Sequence, residues 1–531
     1  MDPAVWTFIV LGLAIFAFVS NRVPLAVIAV GVVLALWATG TLTLAQALAG
    51  FGDPTVLFIA SLFVVSEALD ATGVTAWAGH QVISRAGTDR RRLTAIIALL
   101  AAALSAFISI NGAVAALLPV VVVVAVRAGL VPSKLLIPLA FAASAGSLLT
   151  LTGTPVNIVV SDAAAAAGGR AFGFFEFALA GIPLVALTVL VVVLGGDRLL
   201  PDRVPDRVAD VAPDPRAHAR ALRESYAVSL DTGVLFGARD GAAEVLVAPR
   251  SALIGTTVCA GMTTSDESIV ILAVRRGAEA PDPAHPARDI AGALTLQAGD
   301  ALLVQGPWES LTRYTASPDV IAVTSPQALQ RAVPLGRGAR RALVILGVMV
   351  VLLATGLVPP AVAGLLAAGA LIVTRVLTVP QTYRAISWTT VILIAGMMAL
   401  SAAFTSTGAA DLVADGVLAL IGRASPHLAL LVLCVLTMVL GQFISNVATV
   451  LVVAPIAVAI AATLDVSIQP FMMALTVAGA AAFLTPVATP ANVMVMQPGG
   501  YRFGDYWRLG APLTVGFLAV AVLYVPVIWP F

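Results

Sequence analysis

Long uncharged apolar runs recur along the chain: Pro3 to Asn21, Val23 to Gly52, Leu93 to Val126, Leu135 to Ser161 and Phe177 to Gly196, with five more after Arg341. A helix needs about 20 such residues to cross a bilayer, so the pattern predicts membrane spans. A polar segment rich in Asp, Arg and Pro separates two hydrophobic halves, and each half predicts the same order. Three spans come first, at about 4–20, 23–40 and 54–72, then 342–356, 359–375 and 388–407. An uncharged run follows at 93–126 and 428–464, then a span broken by a proline at 135–161 and 466–496, then a last span at 177–196 and 509–529. As one helix the run of 34 residues would be about 51 Å long, against a hydrocarbon core of about 30 Å. Each such run must therefore turn back. The turns are expected at Ser109-Ile110-Asn111-Gly112 and Ser445-Asn446-Val447, the polar interruptions. The pattern does not choose between re-entrant hairpins and pairs of short full spans.

The two halves match in residues as well as in pattern. Thr152-Gly153-Thr154-Pro155-Val156-Asn157 reappears 335 positions later as Val487-Ala488-Thr489-Pro490-Ala491-Asn492. At the same offset Val56, Ile59, Ala60, Ser66, Ala68, Thr72 and Gly73 meet Val391, Ile394, Ala395, Ser401, Ala403, Thr407 and Gly408. Phe107-Ile108-Ser109 with Pro119 matches Phe443-Ile444-Ser445 with Pro455, shifted by one residue. This reads as one duplication with an insert at its seam. The expected domains are a first transmembrane repeat at 1–197, a cytosolic insert at 198–341 and a second transmembrane repeat at 342–531. The fold class is an α-helical polytopic membrane protein. It has two inverted repeats, each of five spans plus one re-entrant hairpin, and a small cytosolic α/β insert.

Composition agrees: 60% of the 531 residues are apolar and 11% are charged, against about 25% charged in soluble domains. Met1-Asp2-Pro3 lacks a basic leader, so no removable signal peptide is expected. Cys259 and Cys434 suggest neither a disulfide framework nor a metal site. With the insert cytoplasmic, every Lys and Arg except Arg170 and Arg423 falls on the inner side, as the positive-inside rule asks. Both termini are then extracytoplasmic, in a cell (inner or plasma) membrane. An odd number of crossings per half inverts the second half, so the two hairpins enter from opposite sides.

Irregular backbone at membrane depth is tolerated only where it lines a cavity, and paired Pro-broken helices point to a transporter's binding site. A half-helix N-terminus offers N–H groups to an anion, while exposed carbonyls suit a cation such as Na⁺. A kink alone accounts for a single Thr-Pro-x-Asn; two copies beside polar hairpins favour a site. Asn111, Asn157, Asn446, Asn492, Ser109, Ser445, Thr154 and Thr489 supply side-chain oxygens and amides, while Gly153 and Ala488 are small enough to expose their carbonyls. Neither hairpin tip nor either broken span carries Lys or Arg between its ends. An anion there is held by dipoles and hydrogen bonds.

These residues resemble the divalent anion/sodium symporter family of the ion transporter superfamily, over nearly all of both halves. Ser445-Asn446-Val447-Ala448-Thr449 to Pro455 is similar to that family's Ser-Asn-Thr hairpin, and the two Thr-Pro-x-Asn motifs to its paired helix breaks. Tyr501-Arg502-Phe503-Gly504-Asp505-Tyr506, before Gly510-Ala511-Pro512-Leu513, is similar to its closing segment. The resemblance implies a homodimeric elevator symporter of dicarboxylates or sulfate with Na⁺. One cation is implied near the first hairpin and Gly153, another near Ser445, Asn446 and Ala488. The expected substrate-binding set is Asn111, Thr154, Pro155, Asn446, Val447, Thr489 and Pro490. The expected cation-binding set is Ser109, Asn111, Gly153, Asn157, Ser445, Asn446, Ala488 and Asn492. Ile110 and Val447 stand where the family pattern has Asn and Thr, which favours a smaller anion such as sulfate. The insert resembles the TrkA-C (RCK C-terminal) regulatory domain over about 240–325, with strands at Glu244–Val247, Ser268–Val274 and Ala301–Val304, a turn at Ala298-Gly299-Asp300 and a loop at Pro281–Pro286. That resemblance implies an unidentified ligand for the insert.

Expected partners are a small anion, the bilayer and a second copy of the chain, with no nucleic acid. No cofactor is expected beyond coupling Na⁺ or H⁺, and no enzymatic constellation is present. Glu67 and Asp70, with mates Ala402 and Thr405, are proton-relay candidates. They keep open an arsenite-type or Na⁺/H⁺ antiporter, and a transporter-like sensor is a further alternative. Asp411 and Asp415 read as loop or helix-end residues, His80, His218, His285 and His427 are too scattered for a metal site, and Arg90-Arg91-Arg92 reads as a topogenic cytoplasmic run.

Overall fold

The structure is a computed structural model. It describes residues 2–20, 22–75, 77–78, 89–128, 130–203, 240–264, 268–276, 294–323, 338–409 and 425–531, with a few isolated positions between them. His80, His218, His285, Asp411, Asp415 and the Pro281–Pro286 loop lie outside the described residues. The chain divides into two compact units, one of 1–68, 82–208 and 341–531, the other of 69–81 and 209–340.

In the first unit the apolar runs form helices close to the predicted bounds. The first half contains α1 Pro3–Ser20, α2 Leu25–Ala38, α3 Leu44–Leu48, α4 Pro54–Ala71, α5 Arg90–Ser105, α6 Ile110–Arg127, α7 Leu136–Gly146, α8 Pro155–Ala166 and α9 Ala178–Leu199. After α10, which belongs to the insert, the second half contains α11 Ala339–Thr355, α12 Pro360–Val373, α13 Val379–Ala385 and α14 Trp388–Ser406. It continues with α15 Pro426–Leu440, α16 Asn446–Thr463, α17 Ile468–Ala480, α18 Pro490–Met496 and α19 Tyr506–Ala519, which runs through a π turn to Ile528. Five stretches among the described residues are long and apolar enough to cross a membrane: Leu44–Ala71, Ala178–Leu199, Trp388–Ser406, Asn446–Thr463 and Phe503–Ile528. The short helices α3 and α13 are not apparent in the hydropathy pattern. Each is set by a capping box, Thr43 with Gln46 and Thr378 with Gln381, 335 residues apart.

The backbone carries the duplication into places where the residues differ. Gly40 has φ +73° and its repeat mate Arg375 has φ +56°, so the duplicated turn survives at a residue that rarely adopts it. Gly73 and Gly408 also pair, at +67° and +69°. The halves interlock: α14 packs on α2, α8 packs on α16 and α17, and α18 packs on α6 and α7.

A polar cluster ties the foot of α7 to both flanking segments. The buried Lys134 ammonium donates to the carbonyls of Asp197 (2.9 Å) and Leu200 (2.6 Å). Tyr501 donates to Ser133 O and accepts from Ile137 N, and Arg203 pairs with Asp505 at 2.7 Å. The closing segment singled out in the sequence is thus an anchor for the first broken span.

The insert places its strands where the sequence predicts. Strands β1 Asp240–Val247, β3 Val270–Arg275, β5 Ala301–Pro307 and β6 Val320–Ala322 form an antiparallel sheet in the order β3-β5-β1-β6, and β2 Thr257–Val258 pairs with β4 Leu294–Thr295. Helix α10, Trp308–Thr315, packs on β1, β5 and β6. Gly299 has φ +86°, as the turn before β5 requires.

Arg276 donates twice to the buried Asp300, at 2.9 and 2.7 Å, and these bonds, with one from Gln297 N, hold that carboxyl below its ordinary value of 3.8. A lowered folded-state pKa contributes stability that is complete above 3.8 and is lost as pH falls through the lowered value. Hydrogen-exchange protection of β5 is therefore expected to hold near neutrality and to fall in acid below that point. Asp300→Asn should lose protection near neutrality and flatten the acid dependence; an unchanged acid profile would refute the assignment.

Candidate functional site

Both Thr-Pro-x-Asn motifs break their helices, and the mechanism is local. In each, Pro155 or Pro490 is the first residue of the new helix, where its missing N–H costs nothing. Thr154 and Thr489 are the N-caps: Thr154 Oγ1 accepts from Val156 N (3.4 Å) and Thr489 Oγ1 from Asn492 N (3.2 Å). The two asparagines then do the same thing in both halves. Asn157 Nδ2 donates to the carbonyls of Ser147 (2.9 Å) and Thr150 (2.8 Å); Asn492 Nδ2 donates to those of Ala482 (3.0 Å) and Thr485 (3.1 Å). Each pair of acceptors lies ten and seven residues back.

Because both neighbours are carbonyls, the NH₂ must face them and the amide oxygen must face away. Those oxygens, Asn157 Oδ1 and Asn492 Oδ1, are buried and find no partner in the protein. Asn446 Oδ1, at the start of α16, is the same. A buried unpaired carbonyl oxygen costs about 1–3 kcal/mol. The three amide oxygens at motif positions are unpaired acceptors, the kind of oxygen that a hard cation takes.

The hairpins differ from expectation in the position of the turn. It falls at 106–109 and 441–445, just before the polar residues, because Ser109 and Ser445 cap the returning helices. Gly112 N donates to Ser109 Oγ (3.1 Å) and Ala448 N to Ser445 Oγ (3.4 Å). Asn111, Gly112, Asn446 and Val447 are therefore in the first helical turn, not in the loop. Ile110 occupies the position that matches Asn446, so Asn111 lies about 100° further round its helix. It is exposed, unlike the partly buried Asn446. The first hairpin tip docks on α4 through Ser109 N to Ser66 Oγ at 3.4 Å.

Between them, Ile59, Leu62, Phe63, Ser66, Phe107, Ser109, Thr152, Gly153 and Pro155 line a cavity of about 30 Å³. That is room for one or two water-sized bodies. Of the candidates, Ser109, Gly153 and Pro155 meet in this cavity. Thr154, Ala488 and Thr489 are buried, Pro490 is exposed, and Val447 is half-buried.

Three residues escaped the sequence reading. Thr150 Oγ1 donates to Ala106 O, and Thr485 Oγ1 donates to Gln442 O (3.0 Å), so in both halves the break is stapled to the residue before the hairpin tip. Leu149-Thr150 against Leu484-Thr485, identical at offset 335, was the available signal. Gln442, a lone amide in an apolar run, donates to Met438 O and Ala481 O and accepts from Leu484 N. Glu67 and Asp70 lie near the C-terminal end of α4, and both have interaction partners.

Apolar helices repeated in two interlocked halves, with capped breaks and unpaired buried oxygens, define the class: a multi-pass membrane transporter. The chain matches the family described as "CitMHS: Citrate transporter" over residues 15–478 and 416–531. It is 30% identical to "Uncharacterized transporter YfbS" of Escherichia coli (strain K12), covering 99% of each chain. It is 27% identical to "Sodium/sulfate cotransporter 1" of Chlamydomonas reinhardtii, over 43% of this chain and 26% of that protein. Among solved structures, the Alcanivorax borkumensis YdaH transporter superposes with a TM-score of 0.49 at 14% identity, covering 93% of this chain and 87% of that one. The chain belongs to the citrate transporter family.

Proposed function

We propose that the protein is a secondary active transporter of small anions, of sulfate or dicarboxylate type, driven by Na⁺ symport. The observation that carries this reading is the set of three partnerless amide oxygens on Asn157, Asn446 and Asn492. Acceptor oxygens without a fixed negative charge suit a monovalent cation. That cation in turn offsets the charge of an anion held at capped helix ends and hydroxyls. Sulfate is favoured over dicarboxylates because Val447 and Ile110 remove polar groups from both hairpin tips, and because a similar protein is a sodium/sulfate cotransporter. The two halves act as inverted repeats, and the interlocked breaks and hairpins move as one elevator body in a homodimer. The insert is a TrkA-C-like cytosolic regulator, and both chain termini are extracytoplasmic.

The test is uptake of labelled sulfate and labelled succinate into proteoliposomes under an inward Na⁺ gradient. Sulfate is expected to accumulate, and accumulation should vanish when choline replaces Na⁺. No uptake of either anion, or uptake indifferent to Na⁺, would overturn the reading.

A further inference from the structure

One further buried polar atom, on the helix that returns from the second hairpin, behaves unlike its kind. Among the described residues, five helical threonines are fully buried: Thr7, Thr188, Thr437, Thr449 and Thr476. A buried hydroxyl in a helix ordinarily donates to the carbonyl four residues back, since no other partner is so close. Thr7 does so to Pro3 O (3.0 Å), Thr188 to Leu184 O (2.7 Å), Thr437 to Leu433 O (2.7 Å) and Thr476 to Met472 O (3.0 Å). Thr449 does not. Its backbone N–H takes the Ser445 carbonyl at 2.9 Å, and its Oγ1 finds no partner. The hydroxyl is buried and left unpaired, an arrangement that costs free energy unless something there needs an oxygen.

Its surroundings show what that is. Thr449 lies three residues after Asn446 on α16, so the two side chains share a helix face. Asn446 Oδ1 is the other partnerless oxygen on this helix among the described residues. The helix that closes over α16 from the first half is α8. A Cβ on Gly479 would stand 2.7 Å from Val450 Cγ2 and 4.0 Å from Val156 Cγ1, so the chain neighbours of Thr449 and Asn157 meet where α8, α16 and α17 come together. Asn157 Oδ1 is also partnerless. A neutral set of hydroxyl and amide oxygens is ligand chemistry for a small alkali cation.

We infer that Thr449 is a further oxygen ligand of the cation held at the second hairpin. The first hairpin lacks this ligand, because Ala113 stands at the matching position. The two halves are therefore unequal, and the second holds its cation more tightly. The inference rests on the Na⁺-coupled reading above and deepens it.

The test is an equilibrium titration on the full-length protein in detergent. Thermal unfolding is followed against NaCl, with choline chloride keeping ionic strength constant and with no anion substrate added, because a bound ion raises the midpoint by mass action. For wild type, Na⁺ should stabilise and choline should not. For Thr449→Val the half-saturating Na⁺ concentration should rise roughly ten-fold, the loss of one ligand, while stability without Na⁺ is kept or improved. Thr449→Ser should titrate like wild type. If the valine variant is not monodisperse, Thr449→Ala, which copies the first hairpin, carries the same comparison. A Na⁺ curve unchanged in the variant, with wild type responding, overturns the role of Thr449 and leaves the coupling intact. A wild type blind to Na⁺ overturns both.

Discussion

Asn446→Ala is expected to reduce Na⁺-driven anion uptake by about 100-fold, since an interaction with a charged group contributes up to about 3 kcal/mol. The same substitution should change thermal stability by less than about 0.5 kcal/mol. The separation follows from the hydrogen-bond pattern. Among the described residues the Asn446 side chain makes no hydrogen bond to the protein, and its oxygen is buried without a partner. Truncation therefore removes no hydrogen bond within the protein and relieves an unpaired acceptor. Asn157 and Asn492 are different: each amide holds two main-chain carbonyls of its own helix break, so their alanine variants would mix lost structure with lost binding. Asn111→Ala is the control, an exposed amide on the first hairpin, and should keep most of the uptake. Uptake in proteoliposomes beside thermal unfolding in detergent checks both. Should Asn111→Ala abolish uptake while Asn446→Ala spares it, the binding set has been drawn on the wrong hairpin.

Much of the scaffold was legible in the sequence because membranes leave the backbone few options. Runs of apolar length predicted α1, α2, α4, α11, α12 and α14 to within a few residues. The helix breaks at Pro155 and Pro490 followed from the duplicated Thr-Pro-x-Asn and not from proline alone, since Pro119 and Pro455 lie inside α6 and α16. What the pattern could not give was the face of a helix on which a polar side chain lies. Asn111 and Asn446 look equivalent as residues in a polar interruption, yet once Ser109 and Ser445 cap their helices the two amides differ by one helical position. Hydropathy also hides side chains that serve the main chain. Thr150, Thr485 and Gln442 bond to backbone carbonyls and amides, and nothing in a window of mean hydropathy marks them. Thr449 stands within the Ser-Asn-Val-Ala-Thr string, but its missing back-bond is visible only in the folded chain.

Gly153→Ala is expected to be among the most damaging one-methyl changes in the membrane unit, and the asymmetry between the two breaks shows why. A Cβ at Gly153 would stand 2.2 Å from Ser147 O, 2.8 Å from its carbonyl carbon and 2.9 Å from its Cα, all main-chain atoms with no rotamer to escape through. Glycine lets residues 147–154 curl tightly between α7 and α8. The matching residue is Ala488, which already carries the methyl, and there the chain is irregular at 481–485 before a single 3₁₀ turn. That irregular stretch leaves backbone groups that a helix would satisfy itself, and Gln442 takes them: it accepts from Leu484 N (3.0 Å) and donates to Ala481 O (3.1 Å). Each half thus has its own way of keeping an open helix break satisfied, small size in one and a bridging amide in the other. Adding the methyl to the compact break should cost about 2–3 kcal/mol, as overpacking against immobile atoms does, and should abolish uptake by prising Thr152 and Pro155 from the cavity they share with Ser66 and Ser109. Gln442→Leu should cost about 1–3 kcal/mol through the unpaired Leu484 amide. Ala488→Gly, which only removes a methyl from the second break, should leave uptake near wild type. Thermal unfolding and uptake on the three variants decide it: a Gly153→Ala protein as stable and active as wild type would show that the tight curl is not what holds the first break open.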